Sequence, residues 1–251
     1  MSTLIAVSGK GGVGKTTLSA LLIRALVRSG RIPILAVDAD PNSCLDAALG
    51  VAVHKSVGAA REEVRAQTAA GQTGISKTDL LHLKVSESLV ESKDFDLIAM
   101  GRPEGAGCYC YANNVVKSIL AGMTDAYPYV VLDNEAGLEN LSRRIVQKVQ
   151  MLLLVSDPSK TGVQTLDRLY ALACEMGIGF ETLGLVINRA RSETKPASLT
   201  ELACYPKADF VLLLPDDPEI AAFAEDSRPL LDISPGNPVA EKIEQLLNAI
   251  Q

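Results

Sequence analysis

Several short runs in this chain combine residue types and spacings that could do chemistry. Gly9-Lys10-Gly11-Gly12-Val13-Gly14-Lys15-Thr16 fits G-x-x-x-x-G-K-[ST], between an apolar run at Leu4–Ser8 and the start of an amphipathic helical pattern. Glycines there let the backbone curl with its N–H groups inward, and the helix N-terminus adds partial positive charge. Such a loop cradles phosphates: Lys15 would neutralise the β- and γ-phosphates, and the Thr16 hydroxyl would hold Mg²⁺. A chance glycine-rich turn would not also explain the strand before it and the helix after it.

Two acidic runs end neighbouring apolar segments. Asp38 and Asp40, in Val37-Asp38-Ala39-Asp40-Pro41-Asn42, are two residues apart, so in an extended strand both carboxylates face one side of its C-terminal tip. The same composition also suits an ordinary turn. Asp133 opens a second run, Asp133-Asn134-Glu135-Ala136-Gly137. Later, Asn188-Arg189 and Pro215-Asp216 follow two further apolar runs.

Cys108 and Cys110 form a Cys-x-Cys pair after a glycine-rich loop. In an extended backbone both thiols face one side and could grip one metal, whereas in a helix they would diverge by about 200°. A disulfide between them would close a small, strained ring. Two thiolates are too few for zinc, nickel or an iron–sulfur cluster, so a twofold axis supplying two more is the simplest completion. The plainer alternative is a pair of packing thiols. Of the other cysteines, Cys174 falls in an apolar helical pattern and is expected in the core; Cys44 and Cys204 are unassigned. His54 and His82 are far apart in sequence and are expected as surface or capping residues.

The elements that must position these groups follow from hydrophobic periodicity. Continuous apolar runs predict strands at Leu4–Ser8, Ile34–Asp38, Asp96–Met100, Val130–Asp133, Met151–Ser156, Leu183–Asn188 and Phe210–Leu214. Strands apolar on both faces belong to a parallel sheet covered by helices on each side. Helical period predicts Thr17–Ser29, with Leu18, Leu21, Leu22, Ala25 and Leu26 in one stripe, then Asn113–Met123, Leu138–Val149, Lys160–Met176 and Val239–Ile250. The expected fold is a doubly wound, mostly parallel α/β sheet of the P-loop NTPase class, one domain over 1–251. A helical insertion without an obvious strand is expected at about 54–92.

Composition narrows the function classes. The chain has 251 residues, 47% hydrophobic, and a formal net charge of −6, which argues against non-specific nucleic-acid binding. Leu18–Val27, interrupted by Arg24, is too short to span a bilayer, and the N-terminus lacks a signal-peptide pattern, so a cytoplasmic protein is expected. The terminal AEKIEQLLNAIQ carries one lysine and two glutamates, unlike a basic membrane-binding helix, and its apolar stripe suits core packing. No guanine-reading N-K-x-D motif is present.

Lys10-Gly11-Gly12-Val13-Gly14-Lys15-Thr16, with Thr17 after it, resembles the deviant Walker A family, which includes the MinD/ParA ATPases, the arsenite-pump ATPase and the nitrogenase iron protein. The resemblance implies an ATPase working as a homodimer, with Lys10 reaching the partner's nucleotide and Lys15 catalytic on its own. It implies that Gly11, Gly12, Val13, Gly14, Thr16 and Thr17 contact ATP or ADP. It makes Asp38–Asn42 the first switch, Asp40 handling the attacking water and Asp38 supporting the magnesium shell. Asp133 would bind Mg²⁺ through water and the Gly137 N–H would sense the γ-phosphate; Asn134-Glu135 departs from the family's threonine and prolines. Asn188, Arg189, Pro215 and Asp216 would surround the adenine. More narrowly, Gly101–Asn113 (GRPEGAGCYCYAN) with Asp133-Asn134-Glu135-Ala136-Gly137-Leu138-Glu139-Asn140 resembles the CooC-type ATPases that insert nickel into carbon monoxide dehydrogenase. That implies Ni²⁺ or Zn²⁺ on Cys108 and Cys110 shared across the dimer, and carbon monoxide dehydrogenase as client, with neither nucleic acid nor membrane as partner. An iron–sulfur scaffold or electron-transfer ATPase, and a MinD/ParA-type positioning ATPase, remain the alternatives.

Overall fold

The computed structural model describes residues 2–42, 44–71, 74–101, 121–122, 126–137, 148–191 and 195–249. Eight strands form one sheet: β1 (Thr3–Gly9), β2 (Ile34–Asp38), β3 (Leu89–Glu91), β4 (Phe95–Ala99), β5 (Tyr129–Ala136), β6 (Lys148–Ser156), β7 (Gly179–Ala190) and β8 (Phe210–Pro215). Their spatial order is β3-β4-β2-β5-β1-β6-β7-β8. Every pairing is parallel except β3 against β4. β1 lies between β5 and β6, so the loop leaving it opens at the middle of the carboxyl edge, where α/β sheets gather ligands.

Alternate residues of β1 enter two separate cores. Ile5 and Val7 pack with α1 (Lys15–Arg28), α2 (Leu45–Leu49), α6 (Pro218–Glu225) and α7 (Pro238–Ala249). Leu4 and Ala6 pack with α3 (Val57–Ala69), α4 (Lys77–Ser86) and α5 (Lys160–Glu175). Helices therefore cover both faces, as a sheet of continuous apolar strands requires. The stripe expected on the first helix is wholly buried: Leu18, Leu21, Leu22, Ala25 and Leu26 are each at most 3% exposed. α7 buries Val239, Ala240, Ile243 and Leu247, so its apolar stripe faces the core. None of the described helices is long and apolar enough to cross a membrane.

The structure corrects four expectations. The 54–92 region holds α3 and α4, but it ends in a strand, β3, which adds antiparallel to β4. At three residues β3 is too short to leave a period-two signature. The helix expected over Leu138–Val149 fails at its end: Lys148 and Val149 begin β6, with Val149 fully buried. The rest of that span, and nearly all of Asn113–Met123, lie outside the described residues. α6 was not anticipated, although Asp217 accepts the Ile220 N–H as an N-cap and Pro218 occupies the first turn. Cys174 is exposed rather than in the core, because α5 turns Val163, Leu166, Leu169 and Ala173 inward, whereas among the described cysteines Cys204 is the buried one. His54 and His82 are exposed, as expected.

Candidate nucleotide site

The loop from Gly9 to Gly14 turns β1 into α1. Gly14 has φ +94° and caps the helix from the left-handed region, and a Cβ there would run into the Asn188 amide. Gly9 lies against the Val155 carbonyl, again leaving no room for a side chain. The opposite end of α1 is fixed by Arg24, 2% exposed, whose guanidinium meets Glu244 of α7 at 2.8 Å and the Ile233 carbonyl at 3.1 Å. The helix is thus held at both ends with its N-terminus aimed at the loop.

At that N-terminus the polar residues converge. Lys15 is 7% exposed and donates to the Lys10 carbonyl at 3.3 Å, so its ammonium lies under the loop. Thr16 Oγ1 donates to Asp133 Oδ2 at 2.7 Å, and Ser19 Oγ to Asp133 Oδ1 at 3.2 Å. Asp38 is registered beside Asp133 on the neighbouring strand. Its carboxylate accepts the Asp40 N–H at 3.1 Å and the Leu45 N–H at 3.0 Å, which ties the following loop to the strand tip. Asp40 in turn accepts the Asn42 N–H at 2.8 Å. Sequence reasoning missed Ser19; its place one turn beyond Thr16 on the same helix face was the available signal.

Burial dominates the electrostatics. It pushes the Asp133 carboxyl up to about 7, against the pull of the Thr16 hydrogen bond and with repulsion from Asp38. Burial likewise pushes Asp38 up to about 6, against its bonds from Leu45 and Asp40. Two buried carboxyls whose ionised forms are disfavoured by burial, beside a threonine hydroxyl, make a hard, all-oxygen donor set that would gain from a divalent cation. That set fits Mg²⁺.

The remaining predicted residues surround this centre. Lys10 is exposed on the loop. The Gly137 N–H donates to the Gly9 carbonyl at 3.0 Å, so it is turned onto the phosphate loop itself. Asn188 Nδ2 donates to the Val13 carbonyl at 2.9 Å, and Arg189 Nη1 to the Gly12 carbonyl at 3.3 Å. Both side chains therefore brace the loop as well as bordering the cleft beside it. Arg189 adopts φ +56°, a strained conformation for a residue with a side chain. The cleft is lined by Thr17, Leu21, Pro215, Asp216, Ile220 and Ala224. A cleft with a largely apolar lining beside a phosphate loop suits a nucleobase. Gly11, Gly12 and Val13 lie in the loop as expected, whereas Cys108 and Cys110 lie outside the described residues. Among the described residues no group of three or more His, Cys, Asp or Glu could hold a metal.

Residues 4–230 match the model of the CobQ/CobB/MinD/ParA nucleotide binding domain. The chain belongs to this family. An uncharacterized ATP-binding protein of Methanocaldococcus jannaschii is 41% identical over 98% of both chains. The carbon monoxide dehydrogenase accessory protein CooC of Rhodospirillum rubrum is 30% identical over 92% of this chain and 90% of its own. Among solved structures, the septum site-determining protein MinD of Pyrococcus horikoshii in complex with Mg-ADP superposes with a TM-score of 0.69. That match is 23% identical and covers 100% of this chain and 96% of the other, so it speaks to fold. The MinD/ParA architecture is thus the one observed, and the Gly9–Thr16 run with its G-x-x-x-x-G-K-[ST] spacing lies within the span that matches the family's nucleotide binding domain.

Proposed function

We propose that this protein hydrolyses Mg·ATP as a homodimer and uses the cycle to handle a metal ion as cargo. The observation that carries the hydrolytic part is the convergence of Lys15, Thr16, Asp38 and Asp133 at the head of α1. In this reading Lys15 and the loop N–H groups hold the β- and γ-phosphates. Thr16, Asp38 and Asp133 hold Mg²⁺, which supplies charge neutralisation across the phosphates. Asp40 orients a water toward the γ-phosphorus, and that water takes the phosphoryl group from ADP. Asn188, Pro215 and the face of α6 hold the adenine. The whole chain, 1–251, acts as one such domain.

Lys10 stands clear of this set, exposed at the loop surface, where it could reach a partner's phosphates. The cargo site is assigned to Cys108 and Cys110 from each of two chains, four thiolates in all. It rests on the Cys-x-Cys spacing and on the 30% identity to a protein named as a carbon monoxide dehydrogenase accessory factor. Nickel or zinc is the expected ion, and a nickel-containing carbon monoxide dehydrogenase the expected client, in the cytoplasm. The packed apolar face of α7 favours this reading over a membrane-positioning one, since that stripe is not available to lipid.

The test joins two measurements on the full chain purified without oxygen. Phosphate release should require Mg²⁺ and ATP, and the metal content should be about one ion per dimer of four thiolates. Cys108→Ser with Cys110→Ser should lose the metal and keep nucleotide binding. Metal retained by that variant would move the cargo site elsewhere; a broad visible absorption band would point to an iron–sulfur cluster instead. Absence of Mg²⁺-dependent phosphate release would remove the hydrolytic reading.

A further inference from the structure

Between the metal-side carboxylate and the glycine that follows it, the β1–β5 pairing slips. Val7 pairs with Asp133, and Gly9, two residues on, pairs with Ala136, three residues on. The surplus residue falls at Asn134-Glu135, which makes this a β-bulge on the strand that delivers Gly137. A bulge bends its strand and re-aims everything beyond it, which is why bulges collect beside active sites.

Asn134 closes this one. It is 1% exposed, and its Nδ2 donates both to the Val7 carbonyl and to the Ser8 hydroxyl, each at 3.0 Å. Its Oδ1 is buried without a hydrogen-bond partner. The two bonds it donates offset the cost of that orphaned oxygen. Those bonds fasten β5 to the carboxyl end of β1 just before the phosphate loop. Three residues further on, the Gly137 N–H rests on the Gly9 carbonyl at 3.0 Å. The side chain thus sits between Asp133, which meets Thr16, and Gly137, which meets the loop.

We propose that Asn134 is a positioning residue of the nucleotide cycle: by pinning the bulge to Val7 and Ser8, it sets where the Gly137 N–H stands relative to Gly9. From that position the N–H exchanges between the Gly9 carbonyl and the terminal phosphate of a bound triphosphate. This rests on the reading of the chain as an ATP-hydrolysing enzyme. Without the pin the bulge relaxes, Gly137 loses its register, and the site no longer tells a triphosphate from a diphosphate.

The test compares Asn134→Leu, which keeps the branched heavy-atom skeleton in a somewhat larger side chain without donors, with the wild-type chain, and adds Asn134→Ala in case the leucine perturbs folding. Turnover should fall at least about tenfold, as misplacement of a group by a fraction of an ångström commonly does. The affinity for Mg·ADP, which does not use the terminal phosphate, should stay within about twofold, so the preference for a non-hydrolysable ATP analogue over ADP disappears. Amide exchange at Gly137 in Mg·ADP should be faster in both variants than in the wild type. Wild-type turnover and wild-type exchange in either folded variant would overturn the proposal. So would equal loss of ADP and analogue affinity together with a lower melting temperature, because that is a purely structural role. If the wild-type chain itself does not turn ATP over, the functional reading falls. The exchange comparison then still decides whether Asn134 positions Gly137.

Discussion

Asp133 concentrates the chemistry of the site in one buried carboxyl. Its pKa in the folded chain, about 7, stands far above the value near 3.9 expected in the unfolded chain. Between those limits the folded state binds more protons than the unfolded one, so stability falls as pH rises through the window. Asp38, at about 6, adds in the same direction. The ligand-free protein is therefore expected to lose melting temperature steadily from pH 5 to about 7. Asp133→Asn should flatten that slope, and Mg²⁺ with ADP should do the same by balancing the charge. Thermal melts across this range, with and without Mg·ADP, check it; a ligand-free stability that rises with pH would refute the assignment. Lys15→Ala should weaken Mg·ADP binding by about 10- to 100-fold, the loss expected for a hydrogen bond to a charged group, measurable by calorimetry. At this scale the phosphate motif was legible because its residues are contiguous. Ser19 and the bracing bonds of Asn188 and Arg189 were not, because they arise from chain segments brought together only by the fold.

At the scale of elements, the first helix illustrates what a pattern can and cannot tell. Its apolar stripe was visible from spacing alone, and all of it is buried. Arg24, which looked like an interruption, is instead a buried anchor: its guanidinium joins α1 to α7 through Glu244, which also meets Arg28 at 2.9 Å. Nothing in the local sequence links positions 24 and 244, so this contact had to come from the structure. Removing Glu244 would strand a desolvated cation that retains only the Ile233 carbonyl and has a buried, unpartnered Nε. Glu244→Ala is expected to destabilise the fold by about 2–3 kcal/mol, below the full range for a buried pair because Glu244 is partly solvated. Chemical denaturation measures it, and a change below about 0.5 kcal/mol would show that water replaces the carboxylate there. Elements with weak or composite signals fared worse. β3 is three residues long, and α6 follows the Pro215-Asp216 loop that the family resemblance sets beside the base, although its Asp-Pro start is a helix signal.

At the scale of the whole molecule, the charge of the chain sets a condition on assembly. Each copy carries a formal −6, so two copies meeting face to face repel unless cations intervene. Mg²⁺ neutralises part of the bound triphosphate, and an exposed lysine at the rim of each loop can neutralise part of the other copy's. Lys10 is the residue in that position, whereas Lys15 is drawn under its own loop by the Lys10 carbonyl. The two lysines should therefore separate by experiment. Lys15→Ala should lose nucleotide, and with it any nucleotide-dependent assembly. Lys10→Ala should bind Mg·ADP within about twofold of the wild type if, as proposed, the buried Lys15 is the lysine that meets the phosphates. It should nevertheless stay monomeric with Mg²⁺ and a non-hydrolysable ATP analogue while the wild-type chain dimerises. Sedimentation velocity at matched protein and nucleotide concentrations distinguishes the cases. A Lys10→Ala protein that still dimerises on the analogue would mean that Lys10 serves its own phosphates or solvent. The interface would then have to be built from other residues of the carboxyl edge.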